Sequence, residues 1–220
     1  MALPHCPEQT RSRTPGAGAR SGNALGNSLW IRSTGHHAVR VSAIWLVTGA
    51  QASGKSTVAD LLARRFERGV HVRGGQFYRW AVHGWVHAGD EDQHEARRLL
   101  DLRYRLSSQA AAEYEAAGFT TVVQDNIYGI DVERWLDRVA PAKRHLVVLR
   151  PSIEVVEQRD AERQRSLGKV AYRDGYTPRI NDTHVEGTRP DRGLWLDTSD
   201  QTANETVDEI VERAAVARVG

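Results

Sequence analysis

Gly49-Ala50-Gln51-Ala52-Ser53-Gly54-Lys55-Ser56-Thr57 decides how this chain is read. The run satisfies G-x-x-x-x-G-K-[ST], the Walker A pattern, and its flanks are the ones that pattern requires. Before it, Ala43-Ile44-Trp45-Leu46-Val47 is a short apolar run that reads as a buried strand. After it, Val58, Leu61, Leu62 and Phe66 recur at helical spacing. Between a strand and a helix, the glycines let the backbone curl so that successive N–H groups point into one anion-binding concavity. A helix starting near Lys55 adds the positive end of its dipole. Lys55 is then placed for β- and γ-phosphates and the Ser56 hydroxyl for Mg²⁺. Of 30 basic residues only Lys55, Lys143 and Lys169 are lysines, so lysine at position 55 is not a by-product of composition. Residues 49–57 are therefore expected to hold a nucleoside triphosphate.

Composition sets outer limits. The 220 residues suit one domain with a substantial core and some excess. A net charge of +2 gives no bulk attraction to nucleic acid or to an acidic membrane surface. The single cysteine, Cys6, excludes an internal disulfide framework and fits a reducing compartment. No apolar stretch reaches the length of a membrane span, and the N-terminus lacks the apolar core of a secretory signal. A soluble cytoplasmic protein is the expectation. Residues 1–41 differ from the rest: rich in Gly, Ser, Arg, Asn and Pro, with Glu8 their one acid and no sustained periodicity. They read as a disordered tail or as the product of a start placed upstream of the true one near Val39 or Val41. An Arg-rich transit peptide is the third alternative, without the amphipathic helix such peptides carry.

From Ser42 onward strands alternate with helices. Strands are expected at 43–47, 70–73, 119–125, 145–149 and 194–197. Helices are expected after the glycine-rich loop, at 76–88, at 91–117 (stopped by Gly118), at 131–139 (stopped by Pro141), after the Ser152 cap, and from the capping box Thr202-Ala203-Asn204-Glu205. Near-continuous apolar strands separated by helices indicate an α/β fold with a five-stranded parallel sheet and helices on both faces. Ligands bind such sheets at the carboxyl ends of the strands. Those ends carry Gly49, Gly75, Asp125, Arg150 and Asp197.

Asp125, closing an apolar strand, is the candidate Walker B carboxylate, a Mg²⁺ holder together with Ser56; capping a turn is its plainer reading. Arg159 and Arg163 lie one helical turn apart and are expected in a lid near residues 158–190, closing over the transferring phosphoryl group. Against this stands a solvated, arginine-rich helix face. His83 and His87, at i,i+4 with His94 nearby, have metal-ligand spacing, yet no Cys or Glu completes a set, and Trp80 and Trp85 point to a half-buried aromatic helix. That helix, with Phe77, Tyr78 and Arg79, is a candidate wall for an acceptor pocket or simply core.

The region from Ser42 onward resembles the small P-loop kinases, most closely the chloramphenicol phosphotransferase-like group of AAA-type phosphotransferases. The likeness rests on residues 47–57, on Val122-Val123-Gln124-Asp125, on Glu157-Gln158-Arg159-Asp160-Ala161-Glu162-Arg163 and on Leu194-Trp195-Leu196-Asp197-Thr198-Ser199. It implies a three-layer P-loop NTPase fold over residues 42–220, and ATP with Mg²⁺ as cofactors. It also implies an acid just after the second strand as general base; here that stretch is Val70-His71-Val72-Arg73-Gly74-Gly75-Gln76, with glycine at position 75. Either Asp125 takes over, or the acceptor differs, or turnover is slight.

The leading expectation is a phosphotransferase moving the γ-phosphate of ATP to a hydroxyl of a small molecule, with an antibiotic or other natural product suggested by the resemblance alone. Lys55, Asp125, Arg159 and Arg163 form its expected catalytic set. A nucleoside, nucleotide or nucleic-acid 5′-end kinase is the nearest alternative, which the near-neutral charge disfavours. A non-catalytic nucleotide-binding regulatory protein is the third, favoured by Gly75. Acceptor, purine preference and oligomeric state are left open by the sequence.

Overall fold

A computed structural model describes residues 42–87, 90–168 and 176–220. All belong to the second of two units into which the chain divides, beginning at Val39. The expectations for residues 1–41, and the part of the expected lid at 169–175 that includes Lys169, lie outside the described residues.

The first strand, β1 (Ile44–Gly49), is the centre of the molecule and its side chains show why. Ile44 and Leu46 enter one apolar cluster with Val123, Leu146 and Val148, whereas Trp45 and Val47 enter a second with Val122, Val147 and Leu149. Alternate residues of a strand point to opposite faces, so an apolar run with no polar alternation must be covered on both. Helices α3 (Gln93–Ala116) and α4 (Ile130–Arg138) supply Tyr104, Ala111, Val132, Trp135 and Leu136 to the first cluster. Helices α1 (Lys55–Ala63), α7 (Ala203–Glu212) and α8 (Ala214–Ala217) supply Val58, Leu62, Val207, Ile210 and Ala217 to the second.

Strands β2 (Gly69–Arg73), β3 (Thr120–Gln124), β4 (Arg144–Leu149) and β5 (Leu194–Leu196) complete a sheet of order β2-β3-β1-β4-β5, every pairing parallel. The chain winds to one side of β1 for β2 and β3 and to the other for β4 and β5. This reversal opens a crevice at the carboxyl end of β1, where the glycine-rich loop begins. The fold is the expected three-layer P-loop NTPase architecture. Among the described residues, no helix is long and apolar enough to cross a membrane.

Local signals place most boundaries. The Asp92 side chain caps α3 by accepting the Glu95 N–H, and Ser152 caps α5 (Ile153–Leu167) through Val155. The capping box forms at α7: Thr202 accepts the Glu205 N–H, and Glu205 Oε2 accepts the Thr202 N–H at 2.8 Å. Thr202→Ala is expected to cost about 1 kcal/mol, read as a fall of roughly 2–4 °C in thermal unfolding. One helix is shorter than its pattern suggests: α2 spans Gly75–Arg79, not residues 76–88. Trp80, Ala81, Val82 and His83 are exposed, Val82 entirely, so the stretch directly beyond Arg79 gains no burial to extend a single-turn helix, and the half-buried Trp85 packs back on Tyr78 from outside it. His83 and His87 therefore do not share a helix face.

Candidate functional site

Gly49 ends β1 with φ +133°, and its α-carbon lies so near β4 that a Cβ would sit 2.0 Å from the Leu149 carbonyl oxygen. The loop from Ala50 to Gly54 then turns into α1, and Lys55, its first residue, is buried at 5 % exposure. The Lys55 Nζ donates to the carbonyl oxygens of Gly49 at 2.9 Å and Ala50 at 2.5 Å. Burial, reinforced by the positive charges of Arg163 and Arg103, lowers its pKa to about 7. The loop is held from outside as well. Asn181 of α6 (Pro178–Glu186) accepts the Gln51 N–H at 2.6 Å, and the Tyr128 hydroxyl donates to the Gly49 carbonyl at 3.1 Å. Arg150, at the end of β4, pairs with Asp182 and Glu186 of α6 and so fixes the helix that carries Asn181.

Asp125 follows β3 and is fully buried. Its Oδ1 accepts the Asn126 N–H at 2.7 Å, and Arg103 of α3 grips both oxygens, with Nε 3.1 Å from Oδ2 and Nη2 against Oδ1. Above the pair, the Arg103 guanidinium carbon lies 5.4 Å from the Tyr78 ring centroid. Below it, Gly74 comes so close that a Cβ there would stand 1.9 Å from Asp125 Oδ2. The Asp125 carboxylate thus fills the space a side chain at position 74 would need. The Ser56 hydroxyl donates to Gln124 Oε1 at 3.1 Å, the residue before Asp125.

The two arginines expected in a lid occupy different places. Arg159, partly buried, donates to the Ser53 carbonyl at 3.4 Å and to the Thr198 carbonyl at 3.0 Å, so it ties α5 to the loop and to the segment after β5. Arg163 has Asp160 4.0 Å away and is near enough to Lys55 to lower its pKa. Sequence reasoning missed Arg103, Tyr128 and Asn181. Arg103 carried one faint signal, its place beside Tyr104, which the helical pattern put in the buried stripe.

These residues fit a polyphosphate. Lys55 opens α1 at the loop, where the positive charges of Arg163 and Arg103 act on it, and Ser53 Oγ is buried with no hydrogen-bond partner among the described residues. An anion at the loop satisfies both. For a cation such as Mg²⁺ the adjacent oxygens are those of Ser56 and Gln124. Both Asp125 oxygens are engaged by Arg103.

A family profile described as AAA domain matches residues 44–173. No curated protein matches the chain in sequence. Among solved structures, a Chloroflexus aurantiacus protein provisionally described as a kinase shares 20 % identity, with a TM-score of 0.58 over 82 % of this chain and 100 % of that one. The tunicamycin resistance protein of Deinococcus radiodurans shares 15 % identity and a TM-score of 0.56, over 81 % of this chain and 99 % of that one. The Mycobacterium tuberculosis APS kinase CysC, in complex with AMPPNP and APS, shares 18 % identity and a TM-score of 0.55, over 79 % and 98 %. At such identities the likeness is one of fold.

Proposed function

The chain belongs to the AAA domain family, and from that premise we propose that it is a P-loop kinase that transfers the γ-phosphate of ATP to a hydroxyl group of a small molecule. The observation that carries this reading is the carboxylate of Asp125 standing under Gly74, at the end of β2. The resemblance calls for an acid just past that strand. Position 75 holds glycine, yet a carboxylate reaches the same neighbourhood from β3.

Bound ATP with Mg²⁺ would supply the phosphoryl group and neutralise charge on its oxygens. The loop amides of residues 49–57 and the Lys55 ammonium would bind the β- and γ-phosphates, and Ser56, beside Gln124, would hold the metal. Asp125 accepts the proton of the acceptor hydroxyl as that oxygen forms its bond to the γ-phosphorus and the bond to the β-phosphate oxygen breaks, leaving ADP. Lys55 and Arg163 hold the charge that passes to the leaving phosphate. Arg159 positions the loop through Ser53 rather than touching the reacting group. A small-molecule acceptor accords with the near-neutral chain, and a cytoplasmic location with its single cysteine.

The test is ADP formation by the full chain with ATP and Mg²⁺ across a panel of sugar, nucleoside and natural-product alcohols. Stimulation by one acceptor class, with a phosphorylated product of matching mass, supports the reading. Nucleotide binding with no acceptor-stimulated turnover overturns it in favour of a regulatory nucleotide-binding protein.

A further inference from the structure

Asp125 cannot act as a base while both its oxygens are held by Arg103 and the Asn126 amide, and it has no exposed surface. What holds it is an arginine beside the phosphate loop: the Asp125 N–H donates to the Val47 carbonyl of β1 at 3.3 Å, two residues before Gly49, and Gln124 accepts from the Ser56 hydroxyl at 3.1 Å. Arg103 therefore stands between two anionic positions, the carboxylate it grips and the phosphate that Lys55 is placed to bind. The planar guanidinium fork suits either, since carboxylate and phosphate oxygens both accept its paired donors. The guanidinium carbon lies over the Tyr78 ring, 5.4 Å from its centroid, within the range of a cation–π attraction that does not fix the direction of the fork.

We infer that Arg103 is a transferable counter-ion, which leaves the Asp125 carboxylate for the γ-phosphate when the nucleotide arrives and so frees the base only in the loaded site. This inference rests on the phosphotransferase reading and adds to it a residue that reading does not assign. Without nucleotide the carboxylate is neutralised and shut away. With it, the cation moves to the transferring group, where charge develops, and the carboxylate turns to the acceptor. One exchange of partners orders the two substrates, nucleotide first.

The exchange has a consequence in binding alone. If Asp125 competes with the γ-phosphate for Arg103, then removing its charge must strengthen nucleotide binding. Calorimetry with AMPPNP on the full-length protein is expected to show Asp125→Asn binding roughly ten-fold more tightly than the unaltered chain, about the worth of one charge-assisted hydrogen bond. ADP, without the γ-phosphate, is expected to show less than a two-fold change. In an Arg103→Gln background the Asp125→Asn effect on AMPPNP is expected to vanish; that double variant leaves no unpaired buried charge, which keeps it foldable. Unchanged or weaker AMPPNP binding by Asp125→Asn, or equal tightening for ADP, overturns the exchange and leaves the pair a structural one. Failure of the unaltered chain to bind AMPPNP overturns the phosphotransferase reading itself, so the two failures are distinguishable.

Discussion

Lys55→Met is expected to leave the protein folded and to lower acceptor-stimulated ADP formation by at least about 10²–10³-fold, the scale of losing one preorganised charge at a transition state. The fold survives because the ammonium is costly where it sits. It is buried, it feels the charges of Arg163 and Arg103, and among the described residues its hydrogen bonds go to the carbonyls of Gly49 and Ala50. Methionine keeps the aliphatic stem and removes the repulsion, which offsets the two lost hydrogen bonds. Thermal unfolding within a few degrees of the unaltered chain, beside lost turnover, is the expected pair of results; full turnover by the variant would remove Lys55 from the reaction. The same burial predicts a pH dependence. The folded pKa of about 7 lies below the unfolded value of 10.5, so between them the unfolded chain binds more protons. Stability of the nucleotide-free protein therefore rises over that window. Nucleotide affinity runs the other way: above pH 7 a proton must be taken up to charge Lys55, and affinity falls by up to about ten-fold per pH unit. Calorimetry in buffers of different ionisation enthalpy is expected to read that uptake at pH 8 and little of it at pH 6, and Lys55→Met is expected to abolish it.

The frame of the molecule was open to reading because its signals are local. Residues 44–47 are apolar at every position, which only a doubly covered strand tolerates, and the glycines and lysine that follow lie within one short run of sequence. Asp125 was legible for the same reason, an acid closing an apolar run. Arg103 was not. It lies in the third turn of a 24-residue helix, 22 residues from its partner in sequence. One arginine of a polar, arginine-bearing helix looks like any other until the sheet order brings α3 across the end of β3. Asn181 was hidden in the same way, since its bond to Gln51 spans 130 residues. The short α2 shows the converse failure. Phe77, Trp80 and Trp85 recur as a helix face would, but periodicity carries no information on whether a surface exists to receive it.

Gly74→Ala is expected to destabilise the protein by roughly 2–3 kcal/mol, a fall of about 5–10 °C in thermal unfolding, and to abolish acceptor-stimulated turnover. The backbone is not the obstacle: Gly74 has φ −55° and ψ −36°, which alanine adopts freely. The obstacle is Asp125, whose Oδ2, Cγ and Cβ would lie 1.9, 2.4 and 2.9 Å from the new methyl carbon. Neither side can yield cheaply. The Gly74 N–H is bonded to the Gln124 carbonyl at 2.9 Å, locking the two strand ends together, and the carboxylate is buried in the grip of Arg103 and Asn126. The neighbouring glycine supplies the control. A Cβ at Gly75 meets only Tyr78 Cε1, at an ordinary 3.6 Å, so Gly75→Ala is expected to change stability by less than about 1 kcal/mol. Gly75→Asp finds the same open space and restores the acid that the resemblance implies. With Asp125 already serving as base, turnover by Gly75→Asp is expected to stay within about two-fold of the unaltered chain. A rise of ten-fold or more, toward the 10²–10⁴ that a general base contributes, would return that role to the helix after β2 and leave Asp125 to the structure alone.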